Sequence, residues 1–204
     1  MLARLIAILE VSTVAPLVLG LLAGIAAADL VTGAVHWACD TWGSEKTPWL
    51  GQYLIRSFRE HHTRPTAMLE HDWIDVNGGA AVGSFVGLAT FLWFFPESST
   101  YPRAAFAFGA AFFVALAVVS AMANQLHYWA HAKTAPAAIR RLQRAGFVLS
   151  RREHAGHHRA PHAHGYCIST GWLNRPLDAI GFWRGLEKMV AVIFGVQPRE
   201  GDRD

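Results

Sequence analysis

The sequence predicts an all-α integral membrane protein, with about three transmembrane helices and additional cytoplasmic or interfacial amphipathic helices that carry a histidine-rich di-metal site. Of the 204 residues, 52% are hydrophobic and only 16% are charged, which is unlike a soluble or disordered chain. Three long segments are free of charge, and ten of the eleven histidines lie within 36–71 and 127–162. No repeat or linker divides the chain, so we expect residues 1–204 to form a single domain.

The three apolar segments have the length that a transmembrane helix requires. A hydrocarbon core of about 30 Å is crossed by about 20 mostly apolar residues, and we predict spans at approximately 6–28, 76–96 and 104–129. The first segment also resembles a secretory signal, because small residues at 26–28 could form a cleavage site. Its apolar stretch is longer than the roughly 7–15 residues of a signal sequence, which favours a span.

The distribution of basic residues predicts the orientation in the membrane. With three spans, segment 29–75 and the chain after 133 lie on the same side, and they contain nearly all of the lysines and arginines. The positive-inside rule makes that side cytoplasmic, and we expect the bacterial inner membrane. The net charge of +3 then indicates contact with phospholipid rather than nucleic acid. On this side, segments 136–150 and 176–196 have the apolar periodicity of amphipathic helices.

The spacing of the histidines is typical of metal ligation. His127 and His131 are four residues apart, so they share one helix face. His154, His157 and His158 also share one face, because they are separated by three and four residues. His61 and His62 are adjacent and diverge by about 100° on a helix, which suits two neighbouring metals. The paired histidines and those that share one helix face are therefore candidates for metal ligands.

The number of imidazoles narrows the choice of metal without fixing it. A zinc site takes three or four protein ligands, so zinc alone explains few of these histidines, and haem would use only two. Imidazole also suits iron, copper and nickel. Four further side chains are candidates for supporting roles around the metal ligands. Asp40 and Glu60 could orient an imidazole N–H, Asn124 could hold a metal-bound water or cap a polar group, and His162 could be a ligand or lie just outside. By contrast, His164 is expected to be solvated.

Six segments resemble the Kua/CarF lipid desaturase family, and the similarity covers roughly residues 27–198. That family includes plasmanylethanolamine desaturases, which form the vinyl ether of plasmalogens, and a plant chloroplast desaturase of phosphatidylglycerol acyl chains. The segments are Asp29–Trp42 (DLVTGAVHWACDTW), Arg59–His62 (REHH), Glu70–Asp72 (EHD), Asn124–His131 (NQLHYWAH), Arg152–His162 (REHAGHHRAPH) and Tyr166–Asn174 (YCISTGWLN).

The resemblance implies a membrane-embedded di-iron enzyme that uses O2 as co-substrate and takes electrons from an external carrier, a cytochrome b5-like or ferredoxin-like protein. It also implies that Asp40 is a required acid and that nine histidines are the iron ligands: His36, His61, His62, His71, His127, His131, His154, His157 and His158. The expected reaction is formation of the vinyl ether double bond in a plasmanyl ethanolamine phospholipid. Two alternatives stay open, namely an acyl-lipid desaturase or hydroxylase of the same chemistry and a non-catalytic membrane metal-binding protein.

Overall fold

All regular elements in residues 11–94 and 101–199, which the computed structural model describes, are helices. A π-helical turn at Gly51–Ile55 precedes α2, and a 3-10 turn at Ala67–Glu70 precedes α3. This confirms the predicted all-α class. The helices are α1 Val11–Thr41, α2 Arg56–Thr63, α3 Trp73–Phe94, α4 Arg103–His131, α5 Ala137–Arg144, α6 Arg151–His157, α7 Asn174–Ala179 and α8 Phe182–Phe194.

Three of these helices are long and apolar enough to cross a membrane: α1 over Ser12–Thr41, α3 and α4. The predicted number of spanning helices is confirmed. Of the predicted span positions, 6–10 and 95–96 lie outside the described residues. The main difference is that α1 does not end near residue 28 but continues to Thr41. Asp29 does not interrupt it, because its carboxyl group is fully buried and accepts hydrogen bonds from other backbone groups.

The helix α4 packs against both α1 and α3. It runs parallel to α1, and small residues lie where these two helices touch. Gly20 faces Phe108 and Ala111, and Gly24 faces Phe112 and Ala115 one turn further along. Small residues at this four-residue spacing let two membrane helices approach closely. This close packing fixes the relative height of α1 and α4, and therefore the level at which their histidines meet.

We expect Gly24→Ala to weaken the contact between α1 and α4. The added Cβ would overlap the carbonyl oxygen of Phe112 and lie 2.9 Å from the Cβ of Ala115. Overpacking of this kind costs about 1–3 kcal/mol, measurable as a lower thermal midpoint in detergent. Gly87→Ala is the matched control in α3, where a Cβ would meet no atom within 4 Å. A midpoint unchanged by Gly24→Ala would contradict the packing described.

In each of the two predicted amphipathic segments, a glycine lies where the helix is interrupted. The helix expected over 136–150 ends at Arg144, shortly before Gly146, which has a φ of 75°. The helix expected over 176–196 is split into α7 and α8 by Gly181, whose φ is 64°. Residues other than glycine adopt these left-handed angles at a cost, so both breaks have a local cause. The consequence is that α6 starts as an independent helix, which positions three histidines.

Candidate metal centre

Four helices bring eight histidines and one aspartate together at the end of the spans where α1 and α4 terminate. The side chains form two sets, and within each set one ligand atom per residue lies within 4.8 Å of the others. The histidine group consists of His61, His127, His131, His154 and His158. The carboxylate group consists of His36, Asp40, His62 and His157.

Local helix geometry explains how the chain supplies both groups at once. His61 and His62 are consecutive in α2, and they enter different groups with ring centroids 6.0 Å apart, as the divergence of adjacent helical residues predicts. In α6, His154 and His157 likewise separate, with centroids 5.6 Å apart. The two groups therefore lie side by side, as a pair of neighbouring metal sites requires.

The start of α6 is fixed by a capping box. Ser150 accepts a hydrogen bond from the Glu153 backbone N–H at 3.2 Å, and the Glu153 carboxyl group accepts one from the Ser150 N–H at 3.3 Å. Reciprocal capping satisfies two backbone donors and holds the first helical turn in place. The orientation of all the histidines on α6 depends on that turn.

In the histidine group, three of the four closest Nε2–Nε2 distances match the spacing expected around a shared metal. Metal–nitrogen bonds of about 2.1 Å at octahedral or tetrahedral angles separate ligand nitrogens by about 3.0–3.4 Å. The Nε2 atom of His127 lies 2.7 Å from that of His154 and 3.2 Å from that of His131. The corresponding distances are 3.1 Å for His131 to His61 and 3.0 Å for His158 to His154.

In the carboxylate group, three imidazoles surround one carboxyl oxygen. Oδ2 of Asp40 lies 3.2 Å from Nε2 of His62, 3.4 Å from that of His36 and 3.7 Å from that of His157. Among the described residues, neither Asp40 oxygen nor Nε2 of His36 has a hydrogen-bond partner, although all three atoms are buried. Buried polar atoms without partners are costly, and a bound cation would satisfy them. Asp40 is therefore placed as a potential ligand, closer to the centre than an orienting role requires.

Backbone carbonyls set the tautomers of two imidazoles in the carboxylate group. Nδ1 of His36 donates to the Tyr166 carbonyl at 3.1 Å, and Nδ1 of His157 donates to the His164 carbonyl at 2.8 Å. An imidazole that carries its proton on Nδ1 presents the Nε2 lone pair to a metal. Both rings are thereby prepared for ligation through Nε2.

Burial keeps four histidines of the site that lie outside the spanning helices uncharged: His61, His154, His157 and His158. Burial, followed by the neighbouring imidazoles, holds the pKa of His154 and of His157 well below the usual value. The same causes lower the pKa of His61 and bring that of His158 to about 3. Neutral imidazole is the form that binds metal. The donor set therefore fits two adjoining metal ions, with five nitrogens on one side and three nitrogens plus a carboxylate on the other.

Residues 164–174, which we call the strap, hold the two orienting carbonyls in place. Asp29 of α1 accepts hydrogen bonds from the backbone N–H groups of Thr170, Gly171 and Leu173. The Asn174 side chain bonds both the N–H and the carbonyl of Cys167, at 2.8 and 3.0 Å. Sequence reasoning missed these supporting residues, because a lone acid in an apolar helix and a polar loop carry no signal that they meet.

Four of the predicted site residues lie apart from the two groups. The His71 side chain is 60% exposed and faces Asp75 at 3.7 Å, because residue 71 follows the 3-10 turn in an extended conformation. The carboxyl group of Glu60 accepts a hydrogen bond from Arg64 at 3.1 Å, rather than from an imidazole. Asn124 donates to the Val76 carbonyl at 2.8 Å, so it ties α4 to α3. The ring of His162 lies beside that of His62, with centroids 4.5 Å apart. The side chain of His164, expected to be solvated, is exposed.

A small cavity of about 200 Å³ gives access to the histidine group. Its lining includes three imidazoles, those of His131, His154 and His158, together with Thr66 and Arg151. The candidate ligand atoms of the histidine group are thus buried but border a cavity.

The chain matches the family model described as "Lipid desaturase domain" over residues 25–201. It is similar to Plasmanylethanolamine desaturase 1 of Mus musculus, with 40% identity over 91% of this chain and 69% of that protein. It is also similar to Plasmanylethanolamine desaturase of Myxococcus xanthus, with 38% identity over 89% of this chain and 63% of the relative.

A third relative is Fatty acid desaturase 4, chloroplastic, of Arabidopsis thaliana, with 34% identity over 87% of this chain and 52% of that protein. The chain thus spans between about half and two thirds of the length of these relatives. No solved structure matches the chain. The family match includes both histidine-bearing segments and the strap. The chain therefore belongs to the lipid desaturase family.

Proposed function

We propose that the chain is an O2-dependent desaturase that converts a plasmanyl (1-O-alkyl) ethanolamine phospholipid into its 1-alkenyl form. The single domain would hold two irons, one in the histidine group and one in the carboxylate group. The observation that carries the proposal is the pair of adjoining, buried ligand sets at one end of membrane-spanning helices. Two relatives whose printed name is plasmanylethanolamine desaturase support the choice of substrate.

The position of the site supports chemistry close to a lipid headgroup. The carbons next to an ether oxygen lie a few bonds from the glycerol, so they sit near the membrane surface. The proposed ligands would lie at the corresponding level, since His36 and His131 are near the ends of α1 and α4. An enzyme that attacks the middle of an acyl chain would need a deeper passage into the hydrocarbon region.

The reaction removes two hydrogens from neighbouring carbons and, with two electrons and two protons from outside, reduces one O2 to two waters. Bound iron would supply the O2 activation that this chemistry requires. The residues of the chain orient the ligands: the carbonyls of Tyr166 and His164 keep Nε2 of His36 and His157 unprotonated. The burial of the site excludes bulk water, which protects a reactive centre from side reactions.

We further propose that the metal centre faces the cytoplasm of a bacterial inner membrane, because the basic residues are concentrated on that side. A cytochrome b5-like or ferredoxin-like protein would then deliver the electrons from the cytoplasm. An electron donor with an acidic surface would be attracted to a basic surface on the chain. The exposed residues Arg151, Arg152 and Arg159 could form such a surface.

Lipid analysis of cells with and without the chain tests the proposal. We expect acid-labile 1-alkenyl ethanolamine phospholipids to appear when the chain is expressed in a host that supplies 1-O-alkyl precursors, and to be absent from a His127→Ala strain. Vinyl ether lipids that persist after deletion of the gene from its own host would contradict the proposal.

The second candidate is an acyl-lipid desaturase, which is favoured by the similarity to Fatty acid desaturase 4, chloroplastic. The same extracts distinguish the two reactions, since the acyl enzyme would change the number of double bonds in an ester-linked chain and leave the ether lipids saturated. Purified protein that binds metal but consumes no O2 with lipid and reductant would instead indicate a non-catalytic metal-binding protein.

A further inference from the structure

A second cavity lies next to the one that reaches the histidine group, at the membrane-surface level of the protein. It has a volume of about 520 Å³ and lies between the 3-10 turn and the end of α4. Thr66 lines both cavities, so they are side by side. Shortly after the 3-10 turn in the sequence, α3 begins with Trp73 and Ile74, whose apolar side chains are largely exposed. The end of a spanning helix is the level at which it meets lipid headgroups.

The cavity contains one acid, one base and two aromatic rings. Glu70 comes from the 3-10 turn and Lys133 from the residues after α4, while Tyr128 and Trp129 belong to the last turns of α4. Among the described residues, Lys133 has no ion-pair partner. Glu70 lies 3.5 Å from the exposed Arg64, a surface pair of little energetic value. Both charges are thus available to a ligand.

This combination fits a zwitterion with a phosphate and a primary ammonium. An ammonium group is attracted both by a carboxylate and by the face of an aromatic ring, and a lysine ammonium is a usual partner of phosphate. A headgroup that is only anionic would bring its negative charge close to Glu70 and offer that carboxylate no cation. This inference rests on the proposed function: we propose that this cavity binds the phosphoethanolamine headgroup, with Lys133 at the phosphate and Glu70 at the ammonium.

The adjoining cavities give this headgroup site a purpose in the reaction. A phosphate held by Lys133 leaves the glycerol and the first carbons of the sn-1 chain close to the shared wall at Thr66. The neighbouring cavity, lined by His131, His154 and His158, would then receive the carbons next to the ether oxygen. Headgroup binding fixes which carbons reach the metal centre, and so Glu70 and Lys133 are specificity-determining residues.

Lipid binding by the full chain tests this site separately from turnover. The metal-loaded protein is kept without O2 or reductant and is titrated with 1-O-alkyl phosphatidylethanolamine or 1-O-alkyl phosphatidylglycerol, and retained lipid is measured by native mass spectrometry. We expect a preference for the ethanolamine lipid. Lys133→Gln should lower the affinity for both lipids about tenfold. Glu70→Gln should lower only the affinity for the ethanolamine lipid, again by about tenfold, because each substitution removes one charge-assisted contact.

Matched control variants exist in the same sequence. Glu45 and Lys46 are exposed and line neither cavity, so Glu45→Gln and Lys46→Gln should leave both affinities unchanged. An unaltered ethanolamine preference in Glu70→Gln, or equal weakening by Lys46→Gln and Lys133→Gln, would overturn the headgroup site. If the lipid preference depends on Glu70 but no vinyl ether forms under turnover conditions, the headgroup site stands and the proposed reaction fails.

Discussion

Replacing His154 by alanine is expected to abolish desaturation and to reduce bound metal from the proposed two ions per chain towards one. His154 is fully buried, and its Nε2 atom lies 2.7 Å from that of His127 and 3.0 Å from that of His158. Its loss removes a central member of the histidine group. Because losing an orienting partner of a ligand already costs roughly 10–100-fold, we expect more than about a hundredfold loss of activity, measured alongside elemental metal content.

Two other histidines provide controls of the same substitution. The His164 side chain is exposed, and His164→Ala preserves the backbone carbonyl that accepts the hydrogen bond from His157. His71 is exposed and lies outside both groups. We expect both alanine variants to keep two metals and near-normal activity. Full activity in His154→Ala, or a comparable loss in His71→Ala, would refute the assignment of ligands.

The number of spans could be predicted from the sequence because it depends on local composition. A charge-free stretch of about 20 residues has one stable solution in a bilayer, and three such stretches gave three helices. The end of α1 could not be predicted in the same way, since Asp29 reads as a polar interruption. Its partners Thr170 and Gly171 lie more than 140 residues further along the chain, and only the folded structure brings them together.

The site was predictable where helical periodicity alone determines a side chain's direction. The four-residue step from His127 to His131 and the divergence of His61 from His62 both follow from the geometry of one helix. His71 shows where this reasoning fails. It belongs to a histidine-rich segment, but an extended residue after a 3-10 turn has no periodicity to direct its side chain. The supporting carbonyls were unpredictable for another reason: every residue has a carbonyl.

Asp29→Ala is expected to cause the largest loss of stability among single substitutions in α1. The Asp29 carboxyl group accepts from three backbone N–H groups of the strap at 2.9, 3.1 and 3.2 Å. Each donor left without a partner in a buried place costs about 1–3 kcal/mol. We therefore expect a loss of at least about 3 kcal/mol, a large share of the roughly 5–15 kcal/mol that holds a typical domain folded.

Hydrogen exchange distinguishes a loosened strap from general destabilisation. If Asp29 acts through the strap, the amides of residues 170–173 should exchange faster in Asp29→Ala at temperatures where the spans remain protected. Metal should also bind more weakly, because the Tyr166 carbonyl then no longer orients His36 firmly. Asp75→Ala removes an exposed acid from the first turn of α3 and should change stability by less than about 1 kcal/mol. Uniformly faster exchange in Asp29→Ala would show that the carboxyl group supports the whole helix bundle rather than the metal centre.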